Sequence, residues 1–136
     1  MATMYPPEVD SSSNVSHAER QVFELLKKEV GGNWVILHSL WLRTHSHKMD
    51  AEADFVAIGD QGVVVIEVKG DLVERTDDGR WKFSSVHGKL NATKNEGPFE
   101  QARGALYGLR THLRELRQNA LFDDHVWGYA VITPEC

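Results

Sequence analysis

Residues Asp54 to Lys69 constrain this chain more than any other stretch. The run Asp54-Phe55-Val56-Ala57-Ile58 leads into Gly59-Asp60-Gln61-Gly62 and then into Val63-Val64-Val65-Ile66-Glu67-Val68-Lys69-Gly70. Two apolar runs around a Gly-bounded turn specify a β-hairpin. Hairpin strands are antiparallel, so the start of the first lies beside the end of the second. Asp54 is thereby brought next to Glu67 and Lys69, and alternation with period two puts Glu67 and Lys69 on one face. Unpaired charge on an apolar sheet is unfavourable, so these three side chains need a common partner or a common task.

The flanking chain supplies the other elements. Met1 to Val15 is rich in Ser and Pro without periodicity and is expected to be a flexible tail, with the domain over residues 16–136. Ser16 and Glu19 fit the S-x-x-E capping box that opens a helix. Ala18, Val22, Leu25 and Leu26 form its apolar stripe, and Gly31-Gly32 ends it. Trp34 to Trp41 reads as the first strand, and the hairpin supplies the second and third. After Gly70 the chain is polar to Arg80, Trp81-Lys82-Phe83 reads as a short edge strand, and Val86 to Glu96 as loop. Gly97-Pro98 opens a long helix, with Pro98 where its missing N–H matters least. Its stripe of Ala102, Leu106, Leu109, Leu113 and Leu116 extends it to about Gln118. Val126 to Thr133 is the fourth main strand, stopped by Pro134. The expected fold is α/β with the order αβββαβ: a mixed four-stranded sheet flanked by helices, its last strand returned parallel by the helical crossover.

Composition narrows the function classes. With 136 residues, 41% hydrophobic and 26% charged, the chain has the make-up of one globular domain. No apolar run approaches the ~20 residues of a membrane span, and the N-terminus lacks the pattern of a signal peptide. The one cysteine, Cys136, excludes an internal disulfide and a cysteine-based zinc site. The cytoplasm is the expected compartment. A net charge of −5 weighs against a dedicated nucleic-acid-binding module, whose affinity rests on Lys and Arg. It weighs less against a nuclease, whose metal site is itself acidic. Cys136 follows directly on the strand-like Val126 to Thr133, and the expectation from that abrupt end is a domain cut from a longer chain that carries additional domains.

Asp54 followed by Glu67-Val68-Lys69, after an apolar hairpin and in this element order, resembles the PD-(D/E)xK nuclease superfamily. The chain is most similar to its nuclease-related domain, NERD. The similarity lies in Ala18-Glu19, in Glu52-Ala53-Asp54, in Gly62 to Gly70, and in Arg80-Trp81 followed by Gly97-Pro98-Phe99-Glu100-Gln101-Ala102. It covers roughly residues 16 to 133 and implies a restriction-endonuclease-like core. The implied activity is metal-dependent hydrolysis of DNA phosphodiester bonds with Mg²⁺ or Mn²⁺. A divalent ion polarises the phosphate and lowers the pKa of an attacking water. Asp54 and Glu67 are the expected side-chain ligands, with the Val68 main-chain carbonyl a third, since magnesium takes a few oxygens and keeps several waters. Lys69 is expected to orient the water and offset phosphate charge.

Other residues are candidates by position. Glu19 is either a capping-box residue or, as the resemblance implies, a glutamate facing the metal from the first helix. Gln101, in the first turn of the long helix, can reach a phosphate or a metal-bound water. Some relatives carry Gln-x-x-x-Tyr on this helix; here position 105 is Ala, and Tyr107 comes two residues later. Glu52, which shares a strand face with Asp54, reads as a solvated strand end, a ligand to a second metal or a group that bonds the metal's ligands. His38, His45 and His47 lack the cysteines or helical spacing of a zinc site and read as solvated. Lys89, Lys94 and Arg103 lie where they can contact phosphates. Trp81 is either an edge-packing residue or a platform for a base. Two rival functions are a module of this fold that binds nucleic acid or a partner protein without cutting, and a hydrolase acting on another phosphate ester. Strand preference, endo- or exonucleolytic action and oligomeric state are not encoded in the motif.

Overall fold

The computed structural model describes residues 1–9, 15–42, 51–60, 62–84, 90–94, 97–115 and 126–134. Among them the order is β1 (Thr3–Tyr5), α1 (His17–Glu29), β2 (Val35–Leu42), β3 (Ala51–Ile58), β4 (Gly62–Val68), β5 (Leu72–Arg75), β6 (Trp81–Ser84), β7 (Leu90–Lys94), α2 (Pro98–Glu115) and β8 (Val126–Ile132). Five strands form one mixed sheet, β1-β2-β3-β4-β8, and β5-β6-β7 form a second sheet. The architecture is mixed α/β and consistent with a restriction-endonuclease-like fold.

The central hairpin forms where the apolar runs require it. β3 and β4 pair antiparallel from Phe55↔Ile66 to Ile58↔Val63, and the Gly59 N–H closes the turn on the Gly62 carbonyl at 3.0 Å. A Cβ on Gly62 would stand 2.6 Å from the Val126 carbonyl oxygen, so the strand beside it admits no side chain there. The crossover through α2 returns the chain as β8, parallel to β4 from Gly62↔Val126 to Val68↔Ile132.

The two faces of the sheet carry separate cores. On one, Ala18, Val22 and Phe23 of α1 pack on Ile36, Phe55, Ala57, Ile66 and Val68. On the other, Ala105, Leu106 and Leu109 of α2 pack on Ala53, Val56, Val63 and Val65. Leu25, expected in the α1 stripe, is exposed, and Phe23 is buried instead. The four-residue spacing set by Ala18, Val22 and Leu26 centres the buried arc, and Leu25 falls on its rim.

Three expectations need correction. The segment expected to be a tail includes β1, which pairs parallel with β2 through Thr3↔Val35 and Tyr5↔Leu37 and buries Ala2 and Met4. The main sheet therefore has five strands, not four. A three-residue strand is too short to show a period, and Pro6-Pro7 and the serines beyond obscure it. Second, Leu72–Arg75 and Leu90–Lys94 are strands, and β6 lies between them at the centre of a sheet rather than at an edge. The missed signal is the Asp78-Gly79 turn between β5 and β6. Gly79 adopts φ +84°, and the Thr76 N–H bonds the Arg80 carbonyl at 2.8 Å, as in a short hairpin loop. Third, His38 is buried on β2 rather than solvated. His45, His47, Lys89, the end of α2 beyond Glu115 and Cys136 lie outside the described residues.

Candidate active site

The polar residues meet where β4 parts from β3. The β3–β4 ladder ends at Phe55↔Ile66. β4 meanwhile stays paired with β8 as far as Val68↔Ile132, and beyond that the Lys69 N–H bonds the Ile132 carbonyl at 3.0 Å. The strand N–H left without a partner on β3, that of Val68, donates to Asp54 Oδ2 at 2.9 Å. Asp54 thus bridges the gap with its side chain.

A backbone reversal one strand over accounts for the gap. In β2, Ile36 and His38 lie with the α1 core, whereas Leu37 and Leu40 pack in the α2 core. Strict alternation would put His38 and Leu40 together. The residue between them, Ser39, has φ +57°, a left-handed conformation that few side chains adopt. In the register, between His38↔Phe55 and Leu40↔Ala53, Ser39 stands opposite Asp54. Both strands change face there, with Ala53 in the α2 core and Phe55 in the α1 core. Local strain of this kind is commonly found at functional sites.

Glu67 and Lys69 follow the parity of Val63 and Val65, which face α2, and Lys69 Nζ lies 3.2 Å from Glu67 Oε1. Lys69 Nζ also stands 5.8 Å from the centroid of the Phe83 ring, so the small sheet steadies its ammonium group. Glu19 approaches from α1. Its N–H is capped by Ser16 Oγ at 3.1 Å, but its carboxylate does not return to the cap as a full capping box would require. Glu19 Oε2 instead lies 3.0 Å from His38 Nε2. His38 is buried, stacked on Phe55 at 4.7 Å and edge-on to Phe23 at 5.4 Å. This residue was missed as part of the site, although its place at an inward position of an apolar strand run pointed inside.

The carboxylates repel one another. Burial pushes the Glu67 carboxyl up to about 7, and the neighbouring Asp54 charge adds to this against the opposing pull of Lys69. Burial also raises Asp54, opposed by the Val68 N–H and reinforced by the Glu19 charge. Glu52, although exposed, is raised by desolvation and then by Asp54 and Glu19. Asp54, Glu67 and Glu19, with Glu52 at the rim, therefore form one acidic field with Lys69 at its edge.

Among the described residues no group of three or more His, Cys, Asp or Glu side chains is arranged to hold a metal. What the chain offers is a pair of oxygen donors, Asp54 and Glu67, whose carboxyls burial raises, so a cation bound beside them would offset the cost of their ionised forms. A pair suits a hard cation that retains much of its water. Gln101 is not hydrogen-bonded to these residues. Its N–H bonds the Gly97 carbonyl at 3.2 Å, and its Oε1 is buried without a partner among the described residues. A buried amide oxygen left unpaired is rare, and a bound water satisfies such a group in most proteins. Tyr107 and Arg103 are exposed on α2.

A family model described as NERD, nuclease-related domain, matches residues 15–133. No curated protein and no solved structure showed a significant match to the chain.

Proposed function

Given that the chain belongs to the nuclease-related domain family, we propose that it is a metal-dependent nuclease hydrolysing DNA phosphodiester bonds. The observation that carries this reading is the meeting of Asp54, Glu67 and Lys69 where β4 leaves β3. Mg²⁺ or Mn²⁺ bound there would polarise the phosphate and acidify an attacking water. Asp54 and Glu67 would hold the ion, with the Val68 carbonyl as a further donor. Lys69 orients the water and balances charge on the phosphate. Glu19, held by His38, would face the metal from α1, and the Gln101 amide would bond a phosphate or a metal-bound water. The rival reading, a module that binds nucleic acid or a partner protein without cutting, draws on the net charge of −5. No helix among the described residues is long and apolar enough to cross a membrane.

Calorimetric titration with Mn²⁺ separates the two. The wild type is expected to bind the ion and Asp54→Ala to lose it. Labelled linear, circular and single-stranded DNA should be cut with Mn²⁺ and spared with chelator. Absence of both Mn²⁺ binding and cleavage would leave the non-catalytic module.

The part played by His38 has its own test. His38→Phe keeps a ring between Phe23 and Phe55 but removes the partner of Glu19. Without that partner the Glu19 carboxylate leaves its position, so cleavage per folded molecule should fall about tenfold, alongside a loss of stability of ~1.5–3 kcal/mol for a hydrogen bond to a charged group. His38→Gln retains a donor and should recover part of the loss. Cleavage by His38→Phe at the wild-type rate would exclude the Glu19–His38 pair from the site.

A further inference from the structure

Beside the acidic pair lies an aromatic cleft that the hydrolytic chemistry does not use. It has a volume of about 220 Å³ and is lined by Val73, Trp81, Pro98, Phe99, Val131 and Thr133. Val131 is the register partner of Glu67. Neighbouring strands lie ~5 Å apart, so the wall of the cleft is one strand away from the Glu67 carboxylate. Thr133 follows Ile132, whose carbonyl holds the Lys69 N–H.

The two aromatic walls differ in freedom. Trp81 is fixed: its indole lies so close to Gly97 that a Cβ there would collide with the ring. Phe99, in the first turn of α2, is 53% exposed, and its ring centroid is 6.4 Å from that of Trp81 at 56°. A large exposed aromatic at the mouth of a cleft carries an unfavourable hydration that a planar ligand would relieve.

Cations accompany these rings. Trp81 and Phe83 share a face of β6 by alternation. Arg75 lies 5.8 Å from the Trp81 ring, and Lys94 and Lys69 lie 5.5 and 5.8 Å from the Phe83 ring. Three cations thus stand against two rings, the last of them, Lys69, paired with Glu67 at 3.2 Å, while the Glu100 carboxylate turns onto the Gly97 N–H at 3.1 Å. Rings that stack bases beside cations that follow the backbone are the common device for binding single strands.

We propose that the Trp81–Phe99 cleft receives one unpaired base of a DNA strand whose phosphate lies at Glu67 and Lys69. This rests on the nuclease reading for the position of the phosphate. The cleft is smaller than the ~300 Å³ at which pockets for drug-sized ligands begin, a size suited to a single ring system. Its walls are apolar except for Thr133, so it holds a base by its faces and does not read its edge, which makes it tolerant of sequence. A base inside a duplex is stacked on both faces and reaches such a cleft only by leaving the stack. The domain therefore favours single-stranded or frayed DNA over continuous duplex.

Fluorescence anisotropy in chelator, where no cleavage occurs, tests this with the full chain. The probes are a labelled thymidine oligonucleotide, the same oligonucleotide carrying abasic positions, and a duplex of equal length. The single strand should bind more tightly than the duplex. Phe99→Ala, at an exposed position that leaves the fold intact, should weaken single-strand binding about tenfold, the loss of one base–aromatic stack. It should have little effect on the abasic probe. Equal affinity for single strand and duplex, or unchanged binding by Phe99→Ala, would overturn the proposal. The two readings fail separately. Stacking-dependent binding without Mn²⁺-dependent cleavage would remove the nuclease and keep the cleft, and cleavage indifferent to Phe99→Ala and to strandedness would do the reverse.

Discussion

Glu67→Gln is expected to abolish cleavage and, at the same time, to stabilise the metal-free domain at neutral pH. The first effect follows from removing one of the two carboxylates proposed to hold the ion. Like Lys69→Ala, which removes the group proposed to orient the water, it should lower the rate by ~10³-fold or more. Full activity in both variants would eliminate the site. The second effect follows from the position of the carboxyl. Its folded pKa is about 7, above the ordinary value of 4.5. Between those two values the folded state binds more protons than the unfolded chain, so wild-type stability falls as pH rises through that window and is level above it. The charges facing the group are Asp54 from β3 and Lys69 next along its own strand, with Glu19 of α1 acting on Asp54. Asp54, also raised, contributes with the same sign. The shift from 4.5 to about 7 corresponds to a penalty on the order of 3 kcal/mol for the ionised form. Glutamine carries no such penalty. Melting temperature against pH should decline from pH ~5 to ~7 in the wild type and be flatter in Glu67→Gln. Mn²⁺ should raise the wild-type curve and leave the variant unmoved. A wild-type curve that rises across this window would contradict the burial argument.

Phe55→Ala should give the largest loss of stability of any single change in the sheet. Phe55 is fully buried, between α1 and the centre of the main sheet. It stacks on His38 at 4.7 Å and meets Phe23 at 6.5 Å. Truncating a buried phenylalanine destabilises by ~3–5 kcal/mol, because the lost transfer energy is joined by a cavity. Denaturant unfolding should show the midpoint fall with little change in slope. The change also removes the surface on which His38 rests, so Glu19 loses its support and activity should fall in molecules that remain folded. Phe55→Leu, which retains most of the apolar volume, should recover most of the stability but less of the activity. Equal recovery of both would mean that the ring has no role in aligning Glu19.

Much of this was legible because it is periodic. The hairpin, the α2 stripe from Ala102 to Leu109 and the meeting of Asp54 with the end of β4 follow from spacing and strand direction alone. β1 was not legible, because three residues hold no period. β5 and β7 were not, because their polar residues outweigh Leu72, Val73 and Leu90. Nor was the partner of Glu19: nothing in Ser16-His17-Ala18-Glu19 indicates that the carboxylate turns away from its own cap toward a histidine nineteen residues later.

The residue types of the acidic pair and its lysine, and the strand ends that carry them, are set by the sequence itself, because an antiparallel hairpin leaves no choice of which end meets which. Their chemistry is set by the fold. Only the parting of β4 from β3, at the point where Ser39 reverses its backbone opposite Asp54, lets Asp54 take the Val68 N–H. Burial within the fold, reinforced by the Asp54 charge, raises the Glu67 carboxyl, since desolvation depends on what the rest of the chain places around a charge and not on its neighbours in sequence.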